Sequence, residues 1–282
     1  SDNVRLKLLL YGDSGTGKTW TASTAPVPVF LLTEPNGLPT IRASRPDAVV
    51  VQADEGHGGM DTVRAFLRAA KDGTLARETG AQTCVLDSLN ELQRMIRDEI
   101  MAGKNGTPQE GTFTLQDWGT LTDRMRQLVR AFRDLPLHVV AITHAETQVD
   151  DNSVRHVKPQ FQGKSLPNEI SGYFSAVGLQ YRERKIDEDG TPTTAHRVLL
   201  TGPPTVLSKG LPGLAAVEEP DLQLWLRKLE AYDGSKPTKA AAEAVGGGSG
   251  SKKKGSKKRT PSKDDSSKKK KKRSKKNNGE PS

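Results

Sequence analysis

The segment YGDSGTGKTW, residues 11–20, constrains the fold of this chain more than any other stretch. It satisfies the pattern G-x-x-x-x-G-K-[ST], in which a loop between a strand and a helix turns its backbone N–H groups toward phosphates. The apolar run that precedes it, residues 5–11, predicts the buried strand that such a loop requires. We therefore expect a nucleotide-binding α/β domain, the alternative being a chance match in a loop. The predicted phosphate-binding residues are Gly12, Asp13, Ser14, Gly15, Thr16, Gly17, Lys18 and Thr19.

Two residues of this loop and one distant aspartate have separate predicted roles. Lys18 is expected to neutralise the β- and γ-phosphates, and Thr19 to offer its hydroxyl to Mg²⁺. The apolar stretch TCVLDS, residues 83–88, ends in Asp87, which we expect to be the second magnesium ligand beside the loop. The alternative for Asp87 is an ordinary strand-end aspartate that caps the following helix.

Two further polar residues follow predicted strands. Glu34, in FLLTEPNG, ends the strand after the loop's helix, where a carboxylate can orient or deprotonate an attacking water. Thr143 and His144, in AITHAE, end a later strand, where a polar side chain can sense the γ-phosphate. A solvated loop glutamate and a polar strand end are the alternatives. The predicted catalytic residues are Lys18, Glu34, Asp87 and His144.

Strands that alternate with amphipathic helices predict a mainly parallel sheet covered on both faces. The turn-rich stretch 187–192 between two apolar runs predicts a C-terminal antiparallel hairpin. Residues 103–114 are predicted to be a mobile loop, and Thr114 with Asp117 forms a capping-box pattern for the next helix. The predicted core strands after the first are Val27–Thr33, Ala48–Gln52, Thr83–Asp87 and Leu137–Thr143.

The positive charge of the chain is concentrated at its C-terminal end. The formal net charge is +9, yet residues 246–282 carry fifteen Lys and Arg against three Asp and Glu, which leaves residues 1–245 at −3. Residues 246–282 contain no Ala, Val, Ile, Leu, Met, Phe, Trp, Tyr or Cys and cannot bury a core, so we expect disorder there. We therefore divide the chain into a folded domain at 1–232, a flexible linker at 233–251 and a Lys-rich disordered tail at 252–282.

The tail predicts attraction to any polyanion through counterion release, without sequence readout. A DNA tether, a localisation address and a solubilising extension all remain open for it. The single cysteine, Cys84, excludes an internal disulfide and a multi-cysteine zinc site. Together with the lack of a long apolar run, it predicts a soluble cytoplasmic protein. The cationic run of the tail is Lys268, Lys269, Lys270, Lys271, Lys272 and Arg273.

Several classes of nucleotide-binding protein share the phosphate loop, and two of them fit poorly. Ras-like GTPases read guanine with an N-K-x-D motif, which occurs nowhere in this chain. Small-molecule kinases carry an arginine-rich lid, whereas residues 103–116 contain one Lys and no Arg. An ATPase remains the better interpretation.

The chain resembles RecA-like ATPases, and more closely the phage-encoded RecA-like ATPases known as AAA-domain or phage nucleotide-binding proteins, some of which assist single-strand annealing and recombination. The supporting segments, which span residues 5–180, are GDSGTGKT, VFLLTEPNG, CVLDSLNEL, LQDWGTLTDRMRQLV, HVVAITHAE and KPQFQGKSLPNEISGYFSAVGL. The resemblance implies a RecA-like core, ATP with Mg²⁺, single-stranded DNA as a partner, and a homo-oligomeric ring or filament. It also implies a single-strand-binding protein as a possible further partner and the cytoplasm of an infected bacterium as the location.

This chain departs from the family pattern at two positions. RecA has a glutamine where His144 stands here. Relatives commonly carry an arginine near Lys209, and the resemblance makes Lys209 the candidate finger that reaches the nucleotide of a neighbouring subunit. A lysine is a compact charge that lacks the bidentate fork of arginine.

In the RecA-like arrangement, the loop after the sensor strand faces the DNA path, and here that loop is 146–166. Arg155, Lys158 and Lys164 are predicted to bind phosphates, and Phe161 to stack on a base. A solvated loop is the alternative. Three functions are open: a DNA-stimulated ATPase that acts on single-stranded DNA in recombination, annealing or repair; a nucleotide-dependent regulatory switch with little turnover; and a helicase or packaging-type motor.

Overall fold

The computed structural model describes residues 5–105, 113–163, 165–186 and 189–234. These ranges contain one mixed sheet and two layers of helices. The strands are β1 (Lys7–Gly12), β2 (Pro28–Leu32), β3 (Val49–Gln52), β4 (Thr83–Asp87), β5 (His138–Val149), β6 (Arg155–Pro159), β7 (Ala176–Ile186), β8 (Pro192–Leu199) and β9 (Val217–Glu218). The helices are α1 (Lys18–Ser23), α2 (Leu38–Ser44), α3 (Gly59–Lys71), α4 (Thr74–Thr79), α5 (Leu89–Asn105), α6 (Leu115–Arg133), α7 (Leu166–Gly172) and α8 (Leu222–Glu230).

The sheet has the strand order β3-β2-β4-β5-β1-β7-β8-β9. The first six strands of this order run parallel to one another. The next strand, β8, pairs antiparallel with β7 on one side and with β9 on the other. Outside this order, β6 pairs antiparallel with residues 145–149 of β5. The central strands are continuous apolar runs because both faces of the sheet are covered. The expected mixed α/β fold with a mostly parallel sheet is therefore confirmed.

Alternating side chains of the central strands enter two separate apolar clusters. Leu9 and Tyr11 of β1 point into the cluster that α3 to α7 cover, whereas Leu8 and Leu10 point into the cluster that α1, α2 and α8 cover. Trp225 of α8 is fully buried in the second cluster, and Cys84 is buried in the first. Among the described helices, none combines the length and apolar content needed to cross a membrane.

The structure confirms one sequence expectation about the helices and differs from the sequence expectations in two other respects. The segment 103–114 was expected to be a loop, but α5 continues through Asn105, while 106–112 lie outside the described residues. The capping box is confirmed: the Thr114 hydroxyl accepts from the Asp117 backbone N–H, and the Asp117 carboxylate accepts from the Thr114 backbone N–H. The short helices α2 and α4 were not predicted, because one turn or two of helix leaves too few apolar positions to reveal a period.

Candidate nucleotide-binding site

The carboxyl ends of four parallel strands surround one cavity of about 570 Å³. The register pairs Gly12 of β1 with His144 of β5, and Leu32 of β2 with Asp87 of β4. Because parallel strands end at a common edge, residues far apart in the sequence meet here. The predicted site residues in the cavity wall are Ser14, Gly15, Gly17, Lys18, Thr19, Glu34, Asp87 and His144.

The phosphate loop has the backbone that its glycines permit. Gly17 has φ +91°, a left-handed conformation that strains any residue with a Cβ. At Gly12 the constraint is space, since a Cβ would lie 2.3 Å from the backbone oxygen of Gln180 on β7. The loop is thus held between its own left-handed turn and the neighbouring strand, and larger residues at either position would displace it.

Lys18 is buried in the loop with a relative exposure of 8%. Its Nζ donates to the carbonyl oxygens of Gly12 and Asp13, each at 2.8 Å. Burial lowers the pKa of Lys18, while the nearby carboxylates of Asp87, Asp13 and Glu34 act in the opposite direction. The ammonium group is therefore desolvated and already aimed into the loop, where a phosphate anion would replace the carbonyl dipoles as its partner.

Thr19 and Asp87 lie together as predicted for the two magnesium ligands. The Thr19 Oγ1 donates to Asp87 Oδ2 at 2.7 Å. No cluster of three or more His, Cys, Asp or Glu that could hold a metal is found within the described ranges. A hydroxyl and one carboxylate fit a magnesium ion that takes its remaining ligands from phosphates and water, which is the usual arrangement for this ion. Thr19 and Asp87 would hold it.

Burial raises the pKa of Asp87 to about 6; the Glu34 carboxylate also raises it, while the Thr19 hydrogen bond and Lys18 act in the opposite direction. In nucleotide-free protein the folded state therefore favours the protonated carboxyl more strongly than the unfolded state does. The stability that this preference contributes is present at low pH and is lost as the pH rises through about 6.

We expect Asp87→Asn to stabilise the nucleotide-free protein at about pH 8 by roughly 1–3 kcal/mol, because the amide removes a buried charge. The gain should shrink toward about pH 5, where the parental carboxyl is protonated. Urea unfolding at both pH values measures it, with Asp151→Asn at an exposed position as the matched control. A variant less stable than the parent at the higher pH would contradict the expected sign.

Glu34 follows β2 and lies in the cavity wall near Asp87. Its Oε1 accepts a short hydrogen bond from the Ser88 hydroxyl, so the carboxylate is fixed by the residue next to Asp87. The side chain is partly exposed to the cavity. A carboxylate held in this way can accept a proton from a water that attacks a bound phosphate.

His144 lies beside the loop, but β5 does not end there. The predicted strand boundary at Thr143 was wrong: β5 continues to Val149, leaving β1 after the Gly12–His144 pair and joining β6 at Ala145. Asn90, which the sequence did not single out, fixes this point, since its Oδ1 accepts from the Thr143 hydroxyl and from the His144 backbone N–H at 2.8 and 2.7 Å. His144 therefore connects the cavity directly to the β5–β6 pair.

Gln180, His196 and Trp20 are among the side chains of the cavity wall that the sequence did not single out. Gln180 of β7 and His196 of β8 both contact the carbonyl oxygen of Thr16. Trp20, in the helix that follows the loop, lines the cavity with 52% of its surface exposed. No sequence signal marks the first two, because their partner is a backbone atom 164 and 180 residues away.

The candidate DNA segment, 146–166, is not one loop. Val149 and Arg155 are paired in an antiparallel ribbon of β5 and β6. Phe161 has an exposure of only 5% and belongs to the apolar cluster under α7, so the stacking role predicted for it is wrong. Arg155 is exposed, and Lys158 donates to the Gln148 side chain at 2.7 Å. Lys164 and the cationic run 268–273 lie outside the described residues.

Lys209 lies away from the phosphate loop of its own chain. Its backbone pairs with Val177 in β7, and its Nζ donates to the carbonyl oxygen of Phe174 at 2.8 Å. Phe174 precedes β7, at the end of the sheet opposite the cavity. Any contact of Lys209 with a nucleotide would have to involve a neighbouring subunit.

A family model described as an AAA domain matches residues 5–209, and no curated protein sequence matches the chain significantly. Among solved structures, the flagellar accessory protein FlaH from Methanocaldococcus jannaschii is similar at 10% identity over 68% of this chain and 76% of FlaH, with a TM-score of 0.30. The pilus retraction motor PilT with bound ADP is similar at 14% identity over 80% of this chain and 52% of PilT, with a TM-score of 0.31. The Legionella pneumophila ATPase DotB is similar at 12% identity over 70% of this chain and 46% of DotB, with a TM-score of 0.29. This chain therefore spans about half the length of PilT and of DotB.

Proposed function

Since the chain belongs to the family of AAA domains, we propose that it is a magnesium-dependent ATPase of RecA-like type that acts on single-stranded DNA. The observation that carries the ATPase part is the convergence of four polar groups on one cavity: the buried Lys18 ammonium, the hydrogen-bonded pair of Thr19 and Asp87, and the Glu34 carboxylate. These groups supply charge for phosphates, ligands for a metal and a base for water.

Each group has a distinct part in the proposed reaction. Lys18 moves from the loop carbonyls to the phosphate oxygens and neutralises charge that develops on them. Thr19 and Asp87 would hold Mg²⁺, which would supply Lewis-acid stabilisation of the phosphates when bound. Glu34, oriented by Ser88, takes the proton of the attacking water. Trp20 and Pro220 also line the cavity, and we assign contact with the nucleoside to them.

The strand arrangement supports the RecA-like assignment. The strand that precedes Glu34, β2, is the direct neighbour of β4, which ends in Asp87. The strand that contains His144, β5, lies between β4 and β1. This arrangement brings the proposed base and the metal ligand to the ends of adjacent strands, beside the point where His144 lies within β5. A homo-oligomer with Lys209 acting between subunits, and a role in phage recombination, annealing or repair, extend the proposal by family resemblance.

Two parts of the chain support a DNA partner. The β5–β6 ribbon continues directly from His144 and presents Arg155 and Lys158, together with the acidic Glu146, and Asp150 lies in the connection between the two strands. The segment 246–282 carries a net +12, whereas residues 1–245 carry −3. We therefore assign long-range attraction to the tail and the contact that stimulates turnover to the ribbon.

Deleting 246–282 is expected to weaken single-stranded DNA binding, most strongly at low salt, and to flatten the dependence of affinity on salt concentration, because counterion release by the Lys-rich segment is lost. ATP turnover without DNA should change less than about twofold, because the deletion leaves every residue that lines the cavity, from Ser14 to Pro220, in place. Fluorescence anisotropy of a labelled oligonucleotide at two salt concentrations measures the affinities.

Arg155→Gln and Lys158→Gln in the full chain provide the comparison. They should reduce DNA-stimulated turnover while leaving most of the salt dependence intact. Equal affinities and equal salt slopes for the full and shortened chains would show that the tail does not tether DNA. Unwinding of a duplex in a strand-displacement assay would instead support the motor alternative.

A further inference from the structure

Gln180 and His196 contact the phosphate loop from neighbouring antiparallel strands. Gln180 pairs with Val198 across β7 and β8, and His196 pairs with Arg182, so the two side chains are diagonal neighbours on one face. The Gln180 Nε2 donates to the Thr16 carbonyl oxygen at 2.8 Å, and the His196 Nδ1 lies 2.7 Å from the same oxygen. Since a carbonyl oxygen only accepts, His196 must carry its proton on Nδ1.

The acceptor of both bonds belongs to the same peptide group as the Gly17 N–H. Gly17 lines the cavity, in the left-handed turn immediately before Lys18. Two donors on a carbonyl oxygen draw electron density through the peptide group and make its N–H a stronger donor, as in any hydrogen-bonded chain. Through the Thr16–Gly17 peptide, the two donors on β7 and β8 thus affect how strongly the Gly17 N–H can donate to a phosphate.

The Gln180 amide has a feature that a purely structural role does not explain. The side chain is 1% exposed, and among the described residues its Oε1 is a buried oxygen with no hydrogen-bond partner. An unpaired buried acceptor costs stability, and an apolar side chain of the same shape would avoid that cost. The Thr16 oxygen does not need Gln180 for its own satisfaction, because His196 already donates to it.

We propose that Gln180 and His196 are positioning residues of the phosphate site: they hold the Thr16 carbonyl, orient the Thr16–Gly17 peptide and strengthen the Gly17 N–H as a phosphate donor. This proposal rests on the nucleotide-binding function proposed above. It makes phosphate affinity depend on the β7–β8 pair, which extends past the cavity as far as Ile186 and Pro192.

The test compares Gln180→Met and His196→Phe, which keep approximate side-chain volume and remove the donors, with the parent and with Thr194→Ala, an exposed position two residues from His196 on β8. Calorimetry with inorganic pyrophosphate and with Mg-ADP measures binding. We expect each donor variant to raise both dissociation constants by about tenfold. Because the chemical groups at the reacting phosphate are untouched, KM should rise while kcat changes less than about twofold. Thr194→Ala should match the parent.

Two readouts separate positioning from simple structural support. Without ligand, Gln180→Met should unfold at the same temperature as the parent or a higher one, since it removes the unpaired oxygen, although it binds phosphate more weakly. His196→Asn, whose amide nitrogen can occupy the place of Nδ1, should recover most of the affinity that His196→Phe loses. If Gln180→Met does not fold, the comparison of His196→Phe with His196→Asn tests the positioning role.

Parental affinity for pyrophosphate in both donor variants would overturn the positioning role while leaving the proposed ATPase intact, provided that Lys18→Met abolishes binding in the same assay. If the parent itself binds neither pyrophosphate nor Mg-ADP, the proposed function fails, and the positioning role fails with it. The proposal would also be contradicted if His196→Asn lost as much affinity as His196→Phe, because the restored donor would then have had no effect.

Discussion

Lys18→Met is expected to weaken binding of Mg-ATP by at least about 100-fold, the largest single effect on affinity that the site predicts. The Lys18 ammonium is buried, and its two hydrogen-bond acceptors are both loop carbonyls that form part of the phosphate cradle. The substitution keeps the aliphatic length and removes only the charge and its donors. Because burial already lowers the pKa of Lys18, the nucleotide-free fold should tolerate the change well.

Isothermal calorimetry with Mg-ATP measures this effect, and Lys71→Met on the exposed face of α3 is the matched control. The control should bind as the parent does, because it loses a lysine charge far from the cavity wall. Unchanged affinity in Lys18→Met would remove the assignment of the loop as the phosphate site. A shared loss in both variants would point to the net charge of the protein rather than to this contact.

Glu34→Gln is expected to slow ATP hydrolysis by at least about 100-fold while leaving the affinity for Mg-ATP within about threefold of the parent. The amide can still accept a hydrogen bond from the Ser88 hydroxyl, so the geometry of the loop after β2 is preserved. It cannot take a proton from water, so the loss falls on the chemical step. A lower kcat with a retained dissociation constant is the signature of a lost base.

Single-turnover phosphate release measures that step, with Glu78→Gln at an exposed position of α4 as the control. If Glu34→Gln releases phosphate at the parental rate, the carboxylate is not the base, and Glu34 is only a loop residue. If it instead loses affinity as strongly as Lys18→Met, Glu34 supports the binding site rather than the reaction.

The phosphate loop and Asp87 could be predicted because their signals are local. A fixed glycine spacing determines the backbone of the loop, and an apolar run that stops at an acidic residue indicates a strand end at the edge of a parallel sheet. Their proximity, seen in the hydrogen bond between Thr19 and Asp87, then follows from the sheet topology. Glu34 belongs to the same class of prediction.

The course of β5 could not be predicted from polarity. After His144 the strand leaves the parallel sheet, and residues 145–149 pair on one side only, so Glu146, Thr147 and Gln148 are polar although they are still in a strand. Phe161 was misjudged for a related reason: basic neighbours suggested a nucleic-acid loop, but packing beneath α7 buries the ring. Gln180, His196 and Asn90 act on backbone atoms, which leaves no local signal in the sequence.

The rate of phosphate release from Mg-ATP by the full chain, measured with and without single-stranded DNA, tests the central claim most directly. We predict turnover that requires magnesium, increases with DNA, and is lost in both Lys18→Met and Glu34→Gln although only the former loses affinity. Tight binding of Mg-ATP without phosphate release, in the presence and in the absence of DNA, would contradict the ATPase and favour a nucleotide-dependent switch.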